Sequence, residues 1–143
     1  MIRRSKSKQV PKHRAPEYAR VAEGLYESAE ALFTLADEGD RYGNAIGVLA
    51  VHAAIAWTDA LTIRHKARKH TGSDHVKAAD YLLEALGSRV SPDMRKKLTA
   101  ILQTKEEVSY VGEYYRVADA MTLLTQLRAF REWAKEEFER LPG

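Results

Sequence analysis

The segment from Gly43 to Lys69 constrains the fold of this chain more than any other. From Ala45 to Leu61 it is apolar on nearly every side of a helix, with His52 and Asp59 as polar exceptions. A helix without a broad polar face is stable where other helices surround it, so this one is predicted to lie at the centre of a bundle. Its two polar side chains favour a buried core helix over a membrane span.

The rest of the chain carries helix signals and no alternating apolar and polar pattern typical of a strand. Pro16 suits a first helical turn, and Ser91 followed by Pro92 and Asp93 is a typical helix start. We predict helices over 16–37, 41–69, 75–86, 91–109 and 117–141, with Gly39 and Asp40 as caps between the first two. The predicted fold is an all-α, antiparallel bundle of four to five helices with short connections.

Two glycines four residues apart, Gly43 and Gly47, lie near the start of the central helix. Each lowers helix stability by about 1 kcal/mol relative to alanine. We therefore expect a close backbone contact with a neighbouring helix at this end, which compensates for the lost helix propensity.

Charge is distributed unevenly along the 143 residues. The first 14 residues contain six Lys and Arg and no acidic residue. The remaining residues contain 17 basic and 20 acidic side chains, so their net charge is −3, whereas that of the whole chain is +3. We interpret residues 1–14 as a flexible basic tail and residues 15–143 as the folded bundle. A solvated terminus is favoured over a nucleic-acid-binding arm, and both interpretations stay open.

The residue types and motifs that are missing restrict the chemistry. The chain contains no cysteine, which excludes disulfides and thiolate ligands and fits a reducing compartment. No apolar stretch of an export signal follows the basic start, so we expect a cytoplasmic protein. The sequence has no Glu-x-x-His pair of a carboxylate-bridged metal centre, no phosphate-binding glycine loop and no nucleophile elbow. We predict no metal site, no cofactor and no membrane partner.

Histidines and a basic run are the candidates for a site. His52 and Asp59 are seven residues apart and share a helix face, as an interior polar pair or as the less buried stripe of the helix. The run over 64–70 could bind a phosphate backbone, or it could complement the negative C-terminal end of the helix dipole. Both interpretations account for the run. The fixed positive charges of the run over 64–70 are Arg64, Lys66, Arg68 and Lys69.

Three short stretches form a further pattern. They are AAIA at 53–56 with DAL at 59–61, TGSDH at 71–75 leading into Ala78, Ala79, Leu82 and Leu83, and Lys105 with Tyr110 before the last long helix. In these features the chain resembles the HEPN superfamily over roughly residues 17–139, and most of all a bacterial subgroup with a Gly-x-Asp-His segment between its second and third helices. HEPN proteins are small helical bundles of toxin–antitoxin, antiviral defence and RNA-processing systems.

The resemblance implies metal-independent RNA cleavage by an Arg-x(4–6)-His motif near the start of the last long helix. At that place this chain has Lys105 and Tyr110. Tyrosine, with an ordinary pKa of about 10, is a poor general base near neutral pH. Arg64 with His70 and Arg68 with His75 match the spacing of the motif, but both pairs lie in a different junction. The motif is therefore interpreted as degenerate.

From the resemblance we predict a non-catalytic HEPN-like module that binds RNA or a nucleotide. We expect it to form a homodimer and to belong to a toxin–antitoxin or defence system, with a nucleotidyltransferase-type protein as a further partner. The alternatives are an active ribonuclease toxin and a protein-interaction module. The catalytic candidates are His75, Tyr110 and Lys105. Phosphate binding is assigned to Arg64, Lys66, Arg68, Lys69 and Lys105, and polar support to Asp59 and His52.

Overall fold

The computed structural model describes residues 6–36, 41–109 and 114–140, so the predicted caps Gly39 and Asp40 and the candidate Tyr110 lie outside the described residues. Its elements are β1 (Ser7–Gln9), α1 (Ala15–Leu35), α2 (Gly43–Lys66), β2 (Arg68–His70), α3 (Lys77–Leu86), α4 (Pro92–Gln103), α5 (Lys105–Ser109) and α6 (Val117–Glu139), with 3-10 turns at Lys12–Arg14 and Gly87–Arg89. Helices α1, α2, α3, α4 and α6 each have ten or more residues. The prediction of an all-α bundle of four to five helices is confirmed.

Helix α2 is the centre of the bundle, as its sequence predicts. It contacts all the other helices of the described chain, α1 and α6 most extensively. Both helices carry fully buried alanines, among them Ala22 of α1 and Ala50 and Ala53 of α2, and such small side chains allow helices to approach closely. By length and composition α2 could cross a membrane, but 78% of its most apolar window is buried inside the fold. Its neighbouring helices therefore already cover the apolar surface.

The two glycines of α2 allow the close contact that their positions predict. A side chain at Gly43 would collide with the backbone carbonyl of Tyr115, in the segment that leads into α6. A side chain at Gly47 would collide with Val108 of α5. The expected contact is therefore present, although for Gly43 the neighbour is a connecting segment rather than a helix.

Helix α2 ends three residues earlier than predicted, and a strand follows it. Ala67 adopts a left-handed φ of 54°, and its N–H donates to the carbonyl of Ile63. β2 then pairs antiparallel with β1, with Ser7 opposite His70 and Gln9 opposite Arg68. The prediction of a chain without strands is wrong at this place, because three-residue strands are too short to produce a recognisable alternation.

Residues 7–14, predicted as part of a flexible tail, instead form β1 and the first 3-10 turn. Val10 is buried with Ala15 and Ile63 in a small apolar cluster at the end of α2. The N–H of Val10 also donates to the carbonyl of Ala67 at 2.8 Å. This apolar anchor holds the basic segment against the bundle.

Candidate functional site

A groove of about 550 Å³ lies between the loop that precedes α3 and the junction of α4 with α5. Its polar lining includes Ser73, His75, Gln103, Lys105 and Ser109, and we call it the histidine groove. The junction forms because α4 ends at Gln103, with Thr104 as its C-cap, where the sequence predicts one helix over 91–109. This break gives Lys105 the first position of α5.

His75 and Lys105 are in direct contact in the histidine groove. The Nζ atom of Lys105 lies 2.6 Å from Nε2 of His75. Because a lysine ammonium only donates hydrogen bonds, Nε2 accepts, and the neutral ring carries its proton on Nδ1. Asp74 holds the loop in place by accepting a hydrogen bond from the N–H of Val76 at 3.2 Å.

His52 belongs to the same electrostatic neighbourhood. Burial lowers the pKa of His75, and the charges of Lys105, His70 and His52 lower it further, while Asp74 raises it. Burial and Lys105 also lower the pKa of His52, which stands on the exposed side of α2. The structure therefore brings together His52, His75 and Lys105, which lie far apart in the sequence.

Asp59, the second predicted polar support, lies elsewhere. Its side chain is buried, and burial raises its pKa to about 7, with only the charge of Lys69 acting in the opposite direction. The hydroxyl of Thr62 donates to the backbone carbonyl of Asp59 and not to its carboxylate. Asp59 and His52 have different neighbours, and His52 is exposed whereas Asp59 is buried, so neither the interior polar pair nor a common less buried stripe describes them.

The second candidate region is the strand pair at the end of α2. We call Lys6, Lys8, Lys66, Arg68 and Lys69 the basic surface. Lys8 stands directly opposite Lys69 across the two strands, and Arg68 donates to the hydroxyl of Ser7 at 2.9 Å. Neither 6–14 nor 64–72 contains an acidic residue. In the described chain no carboxylate forms an ion pair with any of these five cations.

Arg64, also assigned to phosphate binding, has a different environment from the basic surface. Its guanidinium lies 4.7 Å from the ring centre of Phe138, and its Nε is buried without a hydrogen-bond partner in the described chain. Lys69 is half-buried over the ring of Tyr18, whereas Lys66 and Arg68 are exposed. The predicted basic run therefore divides into a packed arginine, a half-buried lysine and two exposed cations.

Sequence reasoning missed Lys8 as a partner of the basic run, because it placed this residue in the tail. Only the register of β1 on β2 identifies it. It also missed Gln103 and Ser109 in the histidine groove. Neither amide nor hydroxyl carries a sequence signal before the break in the fourth helix is known.

In the described part of the chain, no three His, Asp or Glu side chains gather as metal ligands would. No family model, curated protein or solved structure matches this chain. What the protein binds therefore has to be inferred from the geometry and charge of its two candidate regions.

Proposed function

We propose that this protein is an RNA-binding module that contacts the phosphate backbone through its basic surface, in keeping with the HEPN resemblance. The observation that carries the proposal is the pairing of Lys8 with Lys69 in strands without any acidic residue. Like charges directly opposite each other destabilise a strand pair. A bound polyanion relieves this repulsion and releases its own counterions.

The same pairing separates the two interpretations of the basic run. Arg64 and Lys66 lie in the last turn of α2, where cations complement the helix dipole. Lys8 and Arg68 lie on strands beyond this turn, so the dipole does not account for them. Phosphate contact accounts for the exposed cations on the strands as well as for Lys66 in the last turn. Residues 15–143 carry a net charge of −3, so the basic surface is a local feature and not part of a uniformly basic chain.

Removing two exposed cations tests the proposal. In Lys66→Gln/Arg68→Gln we expect the affinity for a single-stranded RNA to fall roughly tenfold near 0.1 M salt, because two phosphate contacts are lost. The slope of log affinity against log salt concentration should become shallower by about 1.4. Fluorescence anisotropy with a labelled RNA over a salt series measures both quantities.

The matched control is Arg20→Gln/Lys96→Gln, which removes the same net charge from exposed positions on α1 and α4. It should leave the salt slope of the parent protein almost unchanged. Equal losses in the two double variants would mean that net charge alone governs binding, and the basic surface would then have no special role.

A second candidate function, metal-independent RNA cleavage, is favoured by the contact between His75 and Lys105. A neutral histidine beside a cation, with His52 near it, has the groups for proton transfer to and from a ribose hydroxyl and a leaving oxygen. We rank this function below binding because the ammonium of Lys105 already occupies Nε2 of His75.

Incubation with RNA in the presence of a chelator separates the two candidates. The binding module should leave a labelled RNA intact over hours, both as the parent protein and as His75→Ala. Fragments that form with the parent protein and disappear with His75→Ala would instead establish the ribonuclease. Gel electrophoresis of end-labelled RNA provides the measurement.

A further inference from the structure

Asp59 is a buried acid that belongs to neither candidate region. Its side chain is only 9% exposed, and within the described chain its carboxylate takes part in no hydrogen bond or ion pair. A carboxylate in such a place is costly to ionise unless another group compensates for the water that it has lost. Its ionisation therefore responds strongly to any charge that is brought near it.

The left-handed turn at Ala67 brings Lys69 of the basic surface into the field of this carboxyl. If α2 continued through residue 69, roughly 15 Å of helix axis would separate Asp59 from Lys69. The helix instead ends at Lys66, and β2 contacts α2. The charge of Lys69 then favours the ionised form of Asp59, and no other charged or titratable group of the described elements acts on this carboxyl.

Lys69 therefore belongs both to the basic surface and to the neighbourhood of the buried acid. It stands opposite Lys8 in the strand pair, and its half-buried ammonium lies 5.2 Å from the ring centre of Tyr18. A phosphate at the basic surface and the carboxylate of Asp59 would share this one ammonium. Each would weaken the other, because two negative charges beside one cation repel each other.

We propose that Asp59 regulates RNA binding at the basic surface: its protonated form leaves Lys69 available to a phosphate, whereas its ionised form competes with the phosphate for this ammonium. The inference rests on the proposed RNA binding and adds a proton-dependent control to it. The protein with a protonated Asp59 is the form that binds RNA more tightly.

The direction of the pH dependence follows from the charges around Asp59. Burial raises the pKa of Asp59 to about 7 in the free protein. A phosphate on Lys69 adds a negative charge and offsets the positive one, so this pKa should rise further in the complex. RNA affinity should therefore fall as the pH rises through 7. Burial lowers the pKa of His65 and of His70, so these two rings are neutral above pH 7 and leave this range to Asp59.

Asp59→Asn, a permanently neutral change of nearly the same shape, tests the proposal. Fluorescence anisotropy with a labelled single-stranded RNA measures the affinity of the parent protein and the variant from pH 6 to 8.5 at constant salt. We expect nearly equal affinities at pH 6 and a roughly threefold to tenfold tighter variant at pH 8.5, since one unit of pKa change corresponds to a factor of ten. Every other titrating group is common to the two proteins.

Glu27→Gln is the matched control, because it removes one negative charge from the exposed side of α1. Its RNA affinity should follow the pH profile of the parent protein throughout. A change in net charge alone would instead make the two neutralised variants behave alike.

Lys69→Gln makes the test specific to the shared ammonium. At pH 8.5 this substitution should weaken RNA binding only slightly in the parent protein, where Asp59 already offsets the charge of Lys69. In the Asp59→Asn background the loss should be roughly threefold to tenfold larger. A variant that merely repacked α2 would show the same loss in both backgrounds.

Parallel pH profiles of the parent protein and Asp59→Asn would overturn the inference and leave RNA binding in place. Equal losses on Lys69→Gln in the two backgrounds would do the same, as would a pKa of Asp59, measured by NMR, that does not rise when RNA binds. A parent protein that binds no RNA at any pH would instead overturn the proposed function, and the inference with it.

Discussion

Gly43→Ala is expected to lower the free energy of unfolding by about 2 to 3 kcal/mol, although alanine is the better helix former. The added methyl group would collide with the backbone carbonyl of Tyr115. A flexible side chain could rotate away, but a carbonyl can move only together with the segment that leads into α6. The loss of packing should therefore exceed the gain of about 1 kcal/mol in helix propensity.

Gly24→Ala provides the matched control. Gly24 also lies inside a helix, α1, but a methyl group there would meet no atom within 4 Å. This variant should be more stable than the parent protein by up to about 1 kcal/mol. Urea denaturation followed by circular dichroism measures both variants. A stabilised Gly43→Ala would show that the contact with Tyr115 adapts at little cost.

Asp59→Asn should stabilise the protein at pH 8, by roughly 1 to 4 kcal/mol. The folded-state pKa of Asp59 is raised to about 7 from an ordinary 3.8, since burial opposes its charge. In the parent protein the free energy of unfolding should fall as the pH rises from about 4 to 7, because in this range the folded state still holds a proton that the unfolded state has released. Above pH 7 this contribution is constant.

The asparagine variant lacks this titration, so the two stability curves should converge near pH 4 and separate above it. Thermal or urea unfolding at a series of pH values provides the measurement. Glu27→Gln, a neutralisation at an exposed position of α1, should run parallel to the parent protein throughout. If Asp59→Asn does the same, the carboxylate is solvated in the folded protein.

The sequence predicts helices well where the pattern is long. α2 is identified as the core helix because its apolar stretch spans several turns, and the start of α4 follows from Ser91, whose side chain accepts from the N–H of Met94. Helix α2 ends three residues before the end that its sequence pattern predicts. Ala67 adopts a left-handed conformation that favours glycine, so neither composition nor periodicity marks the turn.

The candidate site was predicted in parts that the sequence could not assemble. His75 and Lys105 were both singled out, but their contact depends on the break at Thr104, which lies within a continuous helical pattern. Asp59 is a polar exception of α2 in the sequence, but whether it forms an interior pair with His52 could not be decided from their spacing. Residues seven apart point in the same direction from a helix, but they lie about two turns apart along its axis. Their neighbours therefore depend on which other helices pack at each of the two heights.

The central position of α2 also governs how the protein opens. Since α2 contacts all the other helices of the described chain, no smaller group of them retains its core once α2 detaches. Its backbone amides around Ala54 should consequently exchange with deuterium only through complete unfolding, at the slowest rate in the molecule. Amides of β1, which pairs with a single strand, should exchange through local opening long before.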